Sequence, residues 1–421
     1  MLRPVRGMKD WYGNDARKYE SIISISREIC SKYGYRTIHT PIVEYTEIFQ
    51  RAIGNETDVV SKEMYTFSDK GGDSLTLRPE GTAGVMRAII SESLTQNLPV
   101  RFMYYGEMFR YDRPQKGRFR QFHQLGCEYI SDKSPYTDAI VIAMASEMLN
   151  ALGIFDFKVV INSLGDDETR EAYIKAIIKY FSRHEDELSD ESKIRLKKNP
   201  LRILDSKNEK DKEICSMAPI IGDYFTKDSD TYFKKVCEAI EKYNISYEVN
   251  NFLVRGLDYY SHTAFEFKPT TGYEDSIGGG GRYDKLLEML GGPNLSGVGF
   301  AFGIERIMLL LDDKSFKETA RRVAVIPVSG KEDASAFELY RLLIASDIHC
   351  EFLHLGNIGK KMKMADKLNC ELALIVGEDE CSGDFVTIKY MNISDDSLKT
   401  KKINRSEVVK FVAHHMISNR S

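Results

Sequence analysis

Residues 109–130 read FRYDRPQKGRFRQFHQLGCEYI, and how this stretch folds decides what surrounds it. Aromatic and apolar residues fall at every second position on both sides of a Pro-Gln-Lys-Gly tip. That period of two predicts two strands joined as a hairpin rather than a solvated charge run. On the second arm Arg120, Phe122, Gln124, Gly126, Glu128 and Ile130 share one face. Gly126 removes a side chain between Gln124 and Glu128, which suits a small polar ligand set into a sheet; it is equally what a solvent-facing strand with a bulge at Gly126 looks like. Arg110 ends the first arm, and Arg113, Lys116 and Arg118 crowd the tip. A guanidinium fork matches phosphate or carboxylate oxygens two at a time, so Arg110 suits a nucleotide phosphate and the tip a longer polyanion. The competing reading of the tip is a mobile charged loop.

Outward from the hairpin, helical spacing of Ile22, Ile25, Ile29 and Tyr33 predicts a helix over 15–34. A second hairpin is expected over 64–80 with a Lys-Gly-Gly-Asp turn, then helices over 81–94 and 135–153 and a strand over 156–163. Residues 166–247 are highly charged and weakly patterned, which reads either as a mainly helical insertion or as a flexible surface excursion. Strand signals resume at 245–269 and 297–303, and a helix follows at 304–313. Mainly antiparallel strands with grouped helices make this part, 1–320, an α+β domain. A polar linker at 312–322 leads to alternating strands and helices over 322–421, a separate α/β domain with a partly parallel sheet. There Phe337, Tyr340 and Ile344 mark one helix, and Ile358, Met362, Ala365 and Leu368 a second. Lys360, Lys361, Lys363 and Lys367 stand away from the second stripe, as a solvated face or as a contact for a polyanion.

With 421 residues the chain is expected to form two or three domains, and 42% hydrophobic with 29% charged residues is ordinary globular composition. A formal net charge of −4 excludes a broad basic coat for nucleic acid but leaves room for local basic clusters. The seven cysteines are scattered without a C-x-x-C pair, so neither a zinc site nor a disulfide framework is indicated and a reduced compartment fits. The N-terminal stretch has no apolar targeting core, and no run reaches the ~18 apolar residues of a membrane helix. A cytoplasmic protein without membrane contact is therefore expected.

Four further features carry chemistry. In VRGLDYY, 254–260, a regular strand would send Arg255 and Tyr260 to opposite faces; a bend at Gly256 would present both to one cleft, whereas a core tyrosine pair beside a surface arginine is the plainer alternative. The run Gly278 to Gly281 lacks the spacing of a dinucleotide fingerprint and indicates a bulge or a close approach to backbone, a surface on which a flat ring could lie. Arg306 stands in the first turn of a helix, where the dipole disfavours a cation by ~0.3–1 kcal/mol, so it needs an anion: Glu305 beside it, or a bound phosphate. His123 and His262 read as hydrogen-bonded sheet residues, and His414 and His415 as surface residues.

Taken in order, these segments resemble the class II aminoacyl-tRNA synthetases, and specifically the histidyl-tRNA synthetase family, over essentially the whole chain. Pro41 in GYRTIHTPIVEY is similar to the class dimer-interface motif, 109–129 to its strand-loop-strand motif, and GVGFAFGIERIMLLL to its arginine-bearing third motif. TLRPEGTAG and LVRGLDYYSHTAFEF resemble the histidine-specific motifs. The resemblance implies a class II antiparallel sheet flanked by helices, a helical insertion and a C-terminal anticodon-binding domain. It implies ATP-dependent ligation of L-histidine to the 3′ end of tRNA(His) through histidyl-adenylate, with Mg2+ bridging the outer phosphates of ATP, in a cytoplasmic homodimer. Arg110 is then expected at the α-phosphate, Arg306 at the γ-phosphate, and Arg255 at the α-phosphate in the transition state. Glu80, Gly81 and Thr82 would serve the substrate amino group, Gln124 the amino and carboxylate end, and Glu128 and Tyr260 one imidazole nitrogen each, with Tyr259 lining the pocket. Gln115, Lys116 and Arg118 would meet the tRNA acceptor end, and no protein metal site is expected. Three alternatives fit less well: a regulatory paralogue that shares the fold is opposed by LVRGLDYY and by the presence of 322–421, a synthetase for another amino acid by Glu128, Tyr260 and the Arg255 motif, and an RNA-binding module leaves Arg255, Arg306, Glu80 and Thr82 unexplained.

Overall fold

Alternation in the hairpin becomes two long strands at the centre of an eight-stranded sheet. The computed structural model describes residues 2–418 apart from 56, 258, 274, 313–321 and 392–399, and the chain divides into two compact units at residues 316/317. In the first unit the strands are β1 (Arg36–Thr37), β2 (Val43–Tyr45), β3 (Tyr65–Ser68), β4 (Ser74–Leu77), β5 (Val100–Phe109), β6 (Gln121–Ser131), β7 (Phe157–Ser163), β8 (Tyr247–Val249), β9 (Ser261–Pro269), β10 (Gly278–Tyr283) and β11 (Ser296–Gly303). Its helices are α1 (Asn14–Lys32), α2 (Thr46–Ile53), α3 (Thr82–Ser91), α4 (Pro135–Ala151), α5 (Asp167–Phe181), α6 (Asp190–Lys198), α7 (Glu209–Ser216), α8 (Lys227–Lys242), α9 (Leu286–Met289) and α10 (Ile304–Leu310). The large sheet runs β1-β5-β6-β11-β10-β9-β7-β8, antiparallel except where β1 meets β5 and β7 meets β8; β2, β4 and β3 form a small second sheet. The fold is α+β.

Side-chain parity separates the two faces of the large sheet. Leu125, Cys127 and Tyr129 of β6 and Val298, Phe300 and Phe302 of β11 join one core with Ile22 of α1, Ile142 of α4 and Ile240 of α8. Gln124, Gly126 and Glu128 therefore face the other way, towards α3 and the 166–247 segment. Within that segment, α5, α6 and α7 join the second core through Phe181, Leu196 and Cys215, while α8 packs into the first through Val236 and Ile240.

A buried ion pair ties the helix layer to the sheet. Asp138 of α4 is fully buried and accepts from Arg282 of β10, Thr263 of β9 and Tyr232 of α8. Arg282 also donates to Thr137 Oγ1 at 2.8 Å and pairs with Asp284 at 3.2 Å. Removing one partner strands the other charge in a dry interior. Asp138→Asn is expected to cost about 3–5 kcal/mol, read as a lowered urea-unfolding midpoint of this unit; an unchanged midpoint would show that Asp284 alone suffices for Arg282.

The second unit has the strands β12 (Arg322–Pro327), β13 (Cys350–Phe352), β14 (Cys370–Val376), β15 (Phe385–Tyr390) and β16 (Thr400–Asn404), ordered β13-β12-β14-β15-β16. Strand β12 is parallel to β13 and β14, and β15 and β16 are antiparallel, so the sheet is partly parallel as expected. Its helices are α11 (Asp333–Ala345), α12 (Ile358–Lys367), α13 (Glu378–Ser382) and α14 (Val408–Ser418). Neither β16 nor α13 was anticipated, both being short and polar.

Two details correct the sequence reading. Helix α11 forms where expected; it buries Ala336, Leu339 and Leu343, with Tyr340 packed beside them, whereas Phe337 and Ile344 are 53% and 46% exposed. On α12, Lys361 is not on the outer face with its neighbours: it stands four residues before the buried Ala365, is 2% exposed, and its Nζ donates to the Pro327 carbonyl at 2.7 Å. His415 is half-buried against Tyr390 and Phe411, 3.8 Å from Glu371, while His414 is exposed. The expected linker at 312–322 lies, from 313 to 321, outside the described residues. Among those residues no helix is long and apolar enough to cross a membrane.

Candidate active site

The sheet face opposite the main core opens into a cleft of about 400 Å3, within the range of small-molecule sites. Its floor is paved with glycine. Strand β10 pairs Gly279 with Ala301 and Gly281 with Gly299 of β11, and β11 in turn sets Gly299 opposite Glu128. Gly279 and Gly281 lie closest to the β9 backbone, where an added Cβ would overlap the Phe265 and Thr263 carbonyls respectively, and side chains crowd the same positions. A Cβ on Gly279 would stand 3.0 Å from Arg255 Nη1, one on Gly281 2.8 Å from the Tyr260 ring, and one on Gly303 3.2 Å from Arg306; at Gly299 it would overlap the Glu128 carboxylate. The flat surface anticipated at the glycine run exists, and the protein's own side chains lie on it.

Five arginines line the cleft, and the three anticipated at its centre, Arg110, Arg255 and Arg306, come from separate segments. Arg110, just past β5, donates Nε to the Pro79 carbonyl at 2.8 Å, with its guanidinium 5.4 Å from the Phe122 ring centre. Arg255 lies in the non-strand segment 250–260, pairs with Glu266 of β9 and stands 5.8 Å from the Tyr260 ring centre. The bend at Gly256 thus brings Arg255 and Tyr260 to one cleft. Arg306, in the first turn of α10, donates Nη1 to the Ser276 carbonyl at 2.7 Å. Glu305 does not serve it, accepting instead from the His123 backbone and lying 2.9 Å from His123 Nδ1. Burial by itself lowers the Arg110 pKa, yet a guanidinium stays charged at any physiological pH.

The other end of the cleft is a buried polar pocket. Glu128 is 1% exposed; Thr82 Oγ1 donates to it at 2.7 Å, and Tyr283 donates its hydroxyl to the second oxygen. Burial is the dominant influence and pushes its carboxyl up to about 8, against the pull of those two donors. Glu80 accepts from the backbone N–H groups of Thr82 and Ala83, opening α3, and burial raises its carboxyl too. Burial likewise raises Tyr259 and Tyr260, which stay neutral phenols able to donate. The Gln124 side-chain oxygen is buried without a partner in the cleft wall.

Of the expected site residues, Glu80, Thr82, Gln124 and Glu128 line this one cleft with Tyr259, Tyr260 and the three arginines. Gly81 does not: it sits under the Tyr104 ring, which a Cβ there would overlap. The same ring fills the space at Gly126, so the expected hole between Gln124 and Glu128 is occupied by a side chain of the neighbouring strand, and neither an open pocket nor a bulge is found at that point. At the hairpin tip, Gln115 and Lys116 are exposed, whereas Arg118 turns into the cleft beside Asp112 and Asp275, 3.6 and 3.3 Å away. A backbone bridge between Gln115 and Arg118 closes the tip as a defined turn. Sequence reasoning missed Tyr104, Tyr283 and Glu266. Tyr283 stood in view, as its alternation from Gly281 is visible, but its partner lies 155 residues away.

Comparison with known proteins agrees with this architecture. A family model described as "Histidyl-tRNA synthetase" matches residues 7–307, and one described as "Anticodon binding domain" matches 322–415. A histidine--tRNA ligase of Rhodospirillum rubrum is 43% identical over 418 residues, 99% of either chain. The crystal structure of apo S. aureus histidyl-tRNA synthetase superposes with a TM-score of 0.80 at 33% identity, covering 98% of this chain and 99% of that one. A Bacillus halodurans chain described as an ATP phosphoribosyltransferase regulatory subunit/histidyl-tRNA synthetase shares the fold, with a TM-score of 0.65 at 23% identity, 90% of this chain and 98% of that one covered.

Proposed function

Because this chain belongs to the histidyl-tRNA synthetase family, we propose that the cleft on the glycine-paved face is where histidine is activated. The enzyme is an ATP-dependent ligase that joins L-histidine to tRNA(His). The histidine carboxylate attacks the α-phosphate of ATP, the bond to the β-phosphate breaks and diphosphate leaves. The acyl group of the adenylate then passes to the 3′-terminal ribose, and AMP leaves with the bonding pair. Charge builds on phosphate oxygens in the first step, so fixed cations aimed at them supply much of the acceleration.

The observation that carries the residue assignment is the meeting in one cleft of a buried Glu128 and Tyr260 with Arg110, Arg255 and Arg306. Glu128 and Tyr260 bracket the imidazole, one nitrogen each, and Tyr259 lines the pocket. Any side chain without two ring nitrogens leaves a buried carboxylate or phenol unpaired, which is how such a site rejects it. Thr82 donates to Glu128 and keeps lone pairs for the substrate ammonium, which Glu80 attracts by charge; Gln124, with its free oxygen, serves the same end. Arg110 and Arg255 hold the α-phosphate and Arg306 the γ-phosphate. Magnesium would arrive with ATP, held chiefly by its outer phosphates. The ion would neutralise charge on the departing diphosphate.

The same reading makes the enzyme a cytoplasmic homodimer, in support of which Ile42, Val43, Tyr45 and Phe67 are exposed around the small sheet. The α/β unit contacts the anticodon, with Lys360, Lys363 and Lys367 exposed on α12. ATP–diphosphate exchange, run with each of the twenty amino acids and no tRNA, tests the assignment: exchange with histidine alone is expected, and exchange with none would turn the reading towards a regulatory role. The exposed Gln115 and Lys116 serve the tRNA acceptor end. Gln115→Ala is expected to leave exchange unchanged while lowering the charging of tRNA(His) about tenfold, the worth of one or two polar contacts. Equal charging by variant and parent would remove that role.

A further inference from the structure

The cleft has a wall that the sheet does not provide. Arg202, Asp205 and Lys207, from the 166–247 segment, face it alongside Asp58, which precedes the single turn Val59–Glu63. Asp58 gathers three cations: Lys62 at 2.9 Å, Arg202 at 3.3 Å and Arg195 of α6 at 3.5 Å. Arg195 in turn donates to the Arg202 carbonyl at 3.3 Å. The side chain of Arg202 is only 13% exposed, and its Nη1 is buried without a hydrogen-bond partner. That nitrogen lies against Gly256, where an added Cβ would stand 3.4 Å from it. Behind the cleft, Arg202 also lines a small cavity shared with Arg255, Leu257 and Tyr260.

We propose that Arg202 is a positioning residue for histidine activation, fixing the 254–260 loop, and with it Arg255 and Tyr260, against the Asp58 turn. This rests on the assignment of the cleft given above. The geometry explains why an arginine stands there. One nitrogen of the fork engages Asp58 while the other packs on the Gly256 backbone, a span that a lysine ammonium cannot cover. Burial would raise the Asp58 carboxyl, but Lys62, Arg202 and Arg195 outweigh it and hold it below the usual range; it is ionised at any working pH. The 200–207 stretch thereby becomes part of the reaction chamber, and a small shift in it is transmitted to Arg255. Misplacing a reacting group by about 1 Å can cost on the order of 100-fold in rate.

The test uses the full-length enzyme with Arg202→Ala, Arg202→Lys, Asp58→Asn and the Arg202→Ala/Asp58→Asn double variant, each measured for histidine-dependent exchange and for Tm. Arg202→Ala is expected to lower kcat roughly 10- to 100-fold with KM for ATP little changed and Tm held. Arg202→Lys should recover part of the loss, and the double variant should have a kcat no worse than Arg202→Ala, since both act on the reaction through the Asp58–Arg202 pair, the contacts of Asp58 with Lys62 and Arg195 bearing on Tm alone. A parental kcat in Arg202→Ala overturns the proposal. So does a loss that follows Tm downward, is not rescued by lysine and adds to that of Asp58→Asn, for then the clasp only supports folding. Absence of histidine-dependent exchange in the parent enzyme would instead remove the cleft assignment itself.

Discussion

Arg255→Ala is expected to slow histidine-dependent ATP–diphosphate exchange by about 10²–10³-fold, the usual loss when one fixed donor to a developing oxyanion is removed. The effect should fall on kcat and leave KM for histidine nearly unchanged. Arg255 is held in advance of any substrate, by Glu266 on one side and the Tyr260 ring below, and its Nε is buried without a partner. A group so fixed reorganises little when charge moves onto the phosphate. Truncation also leaves Glu266, whose side chain is 18% exposed, with Lys268 at 3.7 Å as its remaining cation, so stability must be followed in parallel. Arg255→Lys separates the two effects: it keeps a cation for Glu266 but loses the planar fork, and an intermediate rate is expected. Parental exchange rates in a folded Arg255→Ala enzyme would take this residue out of the mechanism.

The second large effect is on substrate recognition. Glu128→Gln keeps the shape of the pocket but removes the charge and leaves one acceptor oxygen where Thr82 and Tyr283 donate to two, so KM for histidine should rise roughly 10- to 100-fold, the worth of a hydrogen bond to a charged group. The pH dependence should change with it. With the carboxyl pushed up to about 8 by burial, Glu128 carries a proton in the empty cleft at neutral pH. Binding a neutral imidazole through its N–H requires the carboxylate, so that proton leaves on binding. Histidine affinity should therefore climb up to about tenfold per pH unit between 6.5 and 8 and level off above. The Glu128→Gln enzyme should show no such slope. A parent enzyme with flat affinity over this window would mean that Glu128 binds the ring in its protonated form.

Part of this site was legible in local periodicities, while Glu80, Thr82 and the union of Arg255 with Tyr260 rested on the family resemblance. Alternation over 120–130 put Gln124 and Glu128 on one face, the glycine run marked the floor, and Gly256 permitted the bend that unites Arg255 with Tyr260. What stayed hidden depends on partners that no local periodicity marks. Tyr104 fills the gap at Gly126 from the adjacent strand, Glu266 pairs with Arg255 across a bend, and Arg202 reaches the cleft from a segment whose own pattern is merely polar. Lys361 shows the complementary error: charge suggested solvent, whereas helix phase and a carbonyl within reach placed it inside. Residue type sets a default, and an available partner reverses it.

The ring of Tyr104, lying over both Gly81 and Gly126, separates two properties that a binding site usually confounds. On the assignment proposed above, Glu128 and Tyr260 choose the ring nitrogens, while Tyr104 sits behind them, outside the cleft lining, and closes the sheet at two places where the backbone alone would leave a hole. Recognition and the solidity of the wall behind it are thus entrusted to different positions.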